Sequence, residues 1–167
     1  MVSLKLTNEH TSSEVRKIID VLRLPSLRLP TEKDYPAHTK WLEKAEAQIQ
    51  SGKKRAMVAY SGSNPVGVVI YQRHEGQPAT LEIKNISVIP EFRGKGIGSL
   101  LLRSSETNAV NLDFPGVNHA SVDTKASNIK MIRFLTGRGY EIENIVDLYG
   151  LGTGSDAILT KPLRDQS

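Results

Sequence analysis

The feature that most constrains this chain is a short stretch in which the apolar positions change phase. In Thr80-Leu81-Glu82-Ile83-Lys84-Asn85-Ile86-Ser87-Val88, Leu81 and Ile83 put the apolar face on odd positions, whereas Ile86 and Val88 put it on even ones. A strand alternates faces with a period of two, so its apolar face changes parity only where a residue is inserted. The stretch therefore predicts a strand over 80–89 with a β-bulge at 84–86. A bulge leaves a backbone group without a ladder partner and open to a ligand.

The flanking sequence supplies the rest of a mixed sheet. Thr11-Ser12-Ser13-Glu14 offers caps for a first helix carrying Val15, Ile18, Ile19 and Leu22 at helical spacing. Leu24-Pro25 to Leu29-Pro30 reads as a loop, and a second helix is expected over 31–50, closed by Ser51-Gly52. Strands over 55–60 and 66–71 flank the hairpin signal Ser61-Gly62-Ser63-Asn64-Pro65 and form an antiparallel meander with the bulged strand. A helix over 96–112, a strand over 119–124, a helix over 128–137 and strands over 140–147 and 157–163 follow. Helices between strands demand crossovers and some parallel pairing. The expected class is α/β: a mixed, mostly antiparallel central sheet with helices on both faces, in a single domain over 1–167.

Composition narrows the function classes. The chain has no cysteine, so thiolate metal sites and disulfides are excluded, and its four histidines have no ligand spacing, so no metal is expected. No N-terminal apolar run is long enough for a signal peptide, and no stretch approaches a membrane span. A cytoplasmic protein with no membrane partner is expected. The formal net charge of +4 is modest, and the cluster Lys53-Lys54-Arg55 reads as a solvated surface.

Directly after the bulged strand comes Pro90-Glu91-Phe92-Arg93-Gly94-Lys95-Gly96-Ile97-Gly98-Ser99. Proline ends the strand, an apolar helical pattern begins at Ile97, and between them lie three glycines at alternate positions and two cations. Residues without side chains let a phosphate approach the backbone, and the first N–H groups of a helix lack internal partners. With the positive end of the helix dipole and Arg93 and Lys95, the turn is a candidate anion site. A Walker loop fails, because Lys95 is followed by Gly96 instead of Ser or Thr. A dinucleotide fingerprint survives with Ser99 in place of its third glycine and Asp123 as the acidic residue. A glycine-rich turn without any ligand also stays open.

The segment resembles motif A of the GNAT family of N-acetyltransferases: Arg93, Gly96 and Gly98 fill its signature, and Val88 to Glu91 resembles its lead-in. Asn128, Phe134, Gly139 and Tyr140 resemble motif B, and the likeness covers about residues 66–163. The resemblance implies an acyl-CoA N-acyltransferase fold and acetyl-CoA as donor substrate. It implies a pyrophosphate on the turn formed by Arg93, Gly94, Lys95, Gly96, Ile97, Gly98 and Ser99. Pantetheine would pair with the strand edge at Ile86, Ser87 and Val88, and Asn128 would contact the pantetheine or pyrophosphate region. It implies transfer of an acetyl group to a primary amine, with Glu82 as the candidate general base. The tyrosine that many members use to protonate the leaving thiolate is replaced here by Leu135, so Tyr149 is the candidate acid. Tyr140 is expected to pack in the core, and Trp41 to line the core or a substrate cleft. The acceptor is expected to be a small-molecule or peptide amine. Aminoacyl-tRNA or a protein amine, and a CoA-binding regulatory module without turnover, are the alternatives. Loose pairing of the last strands makes a homodimer an option.

Overall fold

The computed structural model describes residues 2–6, 15, 16, 18–20, 37–148, 150 and 154–163. Its frame is a seven-stranded sheet. In chain order the elements are β1 (Val2–Leu6), α1 (His38–Gln50), β2 (Lys54–Ser61), β3 (Asn64–Arg73) and β4 (Thr80–Val88). Then come a 3-10 turn (Pro90–Phe92), α2 (Ile97–Asn108), a π-helical turn (Ala109–Asp113) and β5 (His119–Lys125). The last are α3 (Ile129–Thr136), β6 (Glu141–Val146) and β7 (Asp156–Pro162). The strands lie in the order β1-β2-β3-β4-β5-β7-β6, and every pairing is antiparallel except β4 with β5. The expected mixed, mostly antiparallel sheet is what forms.

Two corrections apply. The reading that began with two helices missed β1, which pairs with β2 at one edge of the sheet. The helix expected over 96–112 is α-helical only through Asn108 and ends in the π-helical turn. Residues 31–36 of the expected second helix lie outside the described residues. Of the first helix, Val15, Arg16, Ile18, Ile19 and Asp20 are described, and they are helical.

The alternation of the strands builds two cores. Ala56, Val58, Val68 and Ile70 face α1 and the helical residues before it, where Val15, Ile18, Ile19, Leu42, Ala45 and Ile49 are buried. Met57, Ala59, Val69, Tyr71, Leu81 and Ile83 face the other way, under Leu101 and Leu102 of α2 and Leu135 of α3. Fully burying a side chain of that size contributes about 1.5–3 kcal/mol, so both faces of the central strands are fixed and their register with them. Helices therefore cover both faces. No helix among the described residues is long and apolar enough to cross a membrane.

The bulge lies where the change of phase puts it. Ile70 pairs with Asn85 and Tyr71 with Ile83, so Lys84 is the extra residue. On the other side of β4 the parallel ladder with β5 runs from Thr80↔His119 to Ile83↔Val122 and goes no further. β4 nevertheless continues to Val88 and β5 to Lys125. The two strands part at the bulge.

Candidate functional site

Each of the two diverging strands is followed at its carboxyl end by a helix. β4 leads through the glycine turn into α2, and β5 leads into α3. The carboxyl ends of neighbouring parallel strands form a crevice suited to ligands, and the start of α2 brings unpaired N–H groups and a positive dipole end to it, whereas at α3 the N–H groups of Ile129 and Met131 donate to the Ser127 carbonyl and Asn128 Oδ1.

The turn is shaped by specific bonds. The Ile89 N–H donates to the Val66 carbonyl at 2.9 Å, fixing the end of β4 to β3, and the Phe92 N–H donates to Ile89 at 3.0 Å. Arg93 Nε donates to the Val88 carbonyl at 2.8 Å, which holds its guanidinium beside the strand end. Lys95 sits with its ammonium 5.0 Å from the Phe92 ring centroid. Gly94 and Gly96 have φ of +73° and +83°, a region L side chains rarely adopt, and a Cβ on either would meet open space. The first helical bond is Leu100 N–H to the Gly96 carbonyl at 3.0 Å, so the N–H groups of Ile97, Gly98 and Ser99 are those a helix start leaves unpaired.

Gly98 has a different reason to be glycine. A Cβ there would lie 3.3 Å from Phe134 Cε2 and 3.8 Å from Val88 Cγ2. The three glycines read together as a phosphate approach therefore divide: two serve the backbone turn, and the third lets α2 pack against Phe134 of α3. The same contact is braced by Arg138, whose guanidinium stacks 3.9 Å from the Phe134 centroid and donates to the Phe134 carbonyl and to Ser99 Oγ. Arg138 was not singled out from the sequence, and no local motif marks it.

Asn128 caps α3: its Oδ1 accepts from the Met131 N–H at 3.2 Å, and its Nδ2 donates to Thr124 Oγ1 at 3.4 Å. The structure places it at the mouth of the crevice with both ends of its amide used inside the chain. Ile86, Ser87 and Val88 lie on the part of β4 beyond the last β5 pairing. Ile86 and Val88 pack on the α2 side, and Ser87, opposite Val68, belongs to the α1 side.

Glu82 lies on the α1 side as well, opposite Gln72. Its Oε2 accepts from Gln72 Nε2 at 2.7 Å and its Oε1 accepts from Lys84 Nζ at 2.8 Å. Burial pushes this carboxyl up, but the hydrogen bond and charge of Lys84, with the Gln72 bond, outweigh it and hold the group below the usual carboxylate range. Next in the row, Lys54 Nζ donates to Gln72 Oε1 at 2.8 Å. The basic run 53–55 is therefore not one solvated surface. Lys53 is exposed and paired with Glu75, Lys54 is 4 % exposed among the strands, and Arg55 pairs with Asp113 on the opposite face. The signal available was alternation: Lys54 shares parity with Ala56 and Val58, which are core.

Tyr140 is buried and its hydroxyl donates to Glu106 Oε1 at 2.7 Å, so it packs in the core as expected. Burial and the adjacent Glu106 carboxylate push its pKa far up. Leu135 is fully buried. Tyr149 lies outside the described residues.

Residues 19–140 match the model of the acetyltransferase (GNAT) family. No curated protein sequence matches the chain. Among solved structures, one from Desulfovibrio desulfuricans, assigned to the GNAT acetyltransferases, superposes with a TM-score of 0.76 at 13 % identity, covering 98 % of this chain and all of that one. An IAA acetyltransferase from Bacillus cereus superposes with a TM-score of 0.66 at 22 % identity, over 98 % of this chain and 100 % of its own. A Bacillus anthracis protein assigned as a streptothricin acetyltransferase, solved in complex with acetyl coenzyme A, reaches a TM-score of 0.59 at 16 % identity, over 67 % of this chain and 64 % of its own. At these identities the likeness is one of fold.

Proposed function

The chain belongs to the acetyltransferase (GNAT) family, and from that premise we propose that it moves an acetyl group from acetyl-CoA to a primary amine by direct attack on the thioester. The observation that carries the reading is the parting of β4 and β5 after Ile83↔Val122, with α2 and α3 both starting at the open end. The turn 93–99 suits a pyrophosphate, and the edge of β4 at Ile86, Ser87 and Val88, which lies beyond the β5 ladder although the Val88 carbonyl accepts from Arg93, suits an extended amide-bearing chain that hydrogen-bonds as a strand does.

In the reaction the neutral amine nitrogen adds to the thioester carbonyl, a C–N bond forms, the C–S bond breaks to release the CoA thiolate, and the extra proton on the nitrogen leaves to solvent to give the neutral amide. A strand N–H between Ile86 and Val88 stabilises the negative oxygen that develops. The ammonium form of the amine must first lose a proton, and Glu82, two residues before the bulge residue on the α1 side of β4, is the candidate base. Bonded to Lys84 and Gln72, it is ionised and so able to accept, but it is a weak base. It therefore draws protons from amines that are already partly neutral, or through water. Tyr140 is not the acid that protonates the thiolate, because its hydroxyl is committed to Glu106 in the core. Tyr149 keeps that assignment, with solvent as its competitor. A CoA-binding module without turnover is the second reading, motivated by buried Leu135 at the motif B position where many members carry a tyrosine acid.

Thermal shift with acetyl-CoA, CoA, NAD and ATP tests the donor. Acetyl-CoA and CoA should both raise the midpoint, and stabilisation by NAD alone would sink the reading. A free-thiol assay over polyamines, amino acids and peptides tests transfer; tight acetyl-CoA binding with no thiol release from any amine favours the module. An aminoacyl-tRNA acceptor would show binding that weakens steeply with salt.

A further inference from the structure

On the α1 side of the sheet, three polar side chains stand in one cross-strand row. The registers Lys54↔Gln72 and Gln72↔Glu82 set them side by side on β2, β3 and β4, and the bulge residue Lys84 closes the row from the far end. The bonds run Lys54 Nζ to Gln72 Oε1 at 2.8 Å, Gln72 Nε2 to Glu82 Oε2 at 2.7 Å, and Lys84 Nζ to Glu82 Oε1 at 2.8 Å. The Lys54 ammonium also lies 5.8 Å from the Trp41 ring centroid, under α1.

This row has a direction. An ammonium is a donor only, so the oxygen end of the Gln72 amide must face Lys54. The amide nitrogen is then turned to Glu82, where its hydrogen needs an acceptor. A flipped Gln72 would set NH against ammonium at one end and oxygen against carboxylate at the other. We infer that Lys54 is a positioning residue: by fixing the Gln72 amide it presents a donor to Glu82 and holds that carboxylate in one orientation on the α1 side of the sheet. The inference rests on the proposed role of Glu82 as base.

A purely structural role fits poorly. Lys54 is buried, and the charges that face it are mostly of its own sign: Lys84, Lys44 and Lys53 against the single attraction of Glu82. An unbranched apolar side chain of similar length, such as methionine, would fill the space beside Ala56 and Trp41 without that repulsion. What methionine cannot do is choose which end of Gln72 faces Glu82.

The test uses the full chain with Lys54→Met and Lys54→Arg. The Glu82 carboxyl carbon is titrated by NMR in the free protein, and thermal midpoint, kcat and KM are measured with acetyl-CoA and the primary amine that releases thiol fastest. Lys54→Met should raise the proton affinity of Glu82 about tenfold, which still leaves it ionised near neutral pH, and should lower kcat about tenfold because the carboxylate is no longer held in one orientation. Its KM for acetyl-CoA should stay within about twofold and its thermal midpoint should hold or rise. Lys54→Arg, which keeps a donor-only cation, should restore most of kcat. An unchanged Glu82 titration in Lys54→Met overturns the inference and leaves acetyl transfer standing. So does a loss of kcat that merely tracks a loss of stability and is not restored by arginine. Absence of thiol release from the wild type overturns the acetyltransferase reading instead, and the titration still decides whether Lys54 orients Glu82.

Discussion

Gly96→Ala separates backbone strain from ligand binding, provided it is read beside Gly62→Ala. Both glycines have positive φ, +83° and +62°, and a Cβ at either site meets nothing within 4 Å. Each substitution should therefore carry the same penalty, about 1–2 kcal/mol for an L residue in the left-handed region. For a chain of this size that lowers the thermal midpoint by roughly 2–8 °C. Strain is present in free and bound protein alike, so it leaves a dissociation constant unchanged. At Gly62, in the β2–β3 turn, nothing more should follow. At Gly96 the new methyl group occupies the space through which a phosphate reaches the N–H groups of α2. Loss of one charge-assisted bond there is worth about 1.5–3 kcal/mol, or roughly 10- to 100-fold in affinity. Calorimetric titration of acetyl-CoA into both variants and the wild type reads this directly. Equal dissociation constants for Gly96→Ala and Gly62→Ala would refute the placement of the pyrophosphate on this turn.

Three further outcomes are expected. Tyr140→Phe removes the hydroxyl that Glu106 accepts from inside the core; it should lower unfolding free energy by about 1–2 kcal/mol in urea without changing thiol release. Glu82→Gln should lower kcat about 100-fold, and a wild-type rate across the pH range would remove Glu82 as the base. Burial, then Lys84, lowers Lys54 from the free side chain's 10.5 to about 8. Between those values the unfolded chain holds more protons, so this group makes stability rise with pH across that window, by up to about 3 kcal/mol. Denaturation at pH 7 and pH 10.5 should show the wild type gaining stability relative to Lys54→Met, a comparison in which the opposing contribution of buried Tyr71 and Tyr140 cancels.

Much of this architecture was legible because it rests on parity. The change of phase between Ile83 and Ile86 located the bulge within 84–86, where the pairing makes Lys84 the extra residue, and Pro90 with the glycines located the turn. Where reading failed, the cause was physical. Val2, Leu4 and Leu6 alternate as a strand should, but a lone strand of five residues carries little signal until its partner is known. Lys54 looked like surface because charge outweighs parity in any reading of a basic run, and only the pairing with Gln72 shows why a lysine is tolerated inside. Gly98 could not be told from Gly94 and Gly96, since composition does not say whether open space or Phe134 lies where the missing side chain would be. Arg138 and its brace to Ser99 join residues far apart in sequence, and nothing local foretells them.

The extra residue in β4 also makes chain length, more than residue identity, the guarded quantity in this part of the molecule. A substitution between Ile83 and Pro90 alters one side chain, and many would be absorbed. A single insertion or deletion there moves every following position of the strand to the opposite face. Ile86 and Val88 would then turn away from α2, and Ser87 would turn into its apolar core. The opening between β4 and β5 is thus a matter of counting, more exposed to a slip in length than to any ordinary exchange of residues.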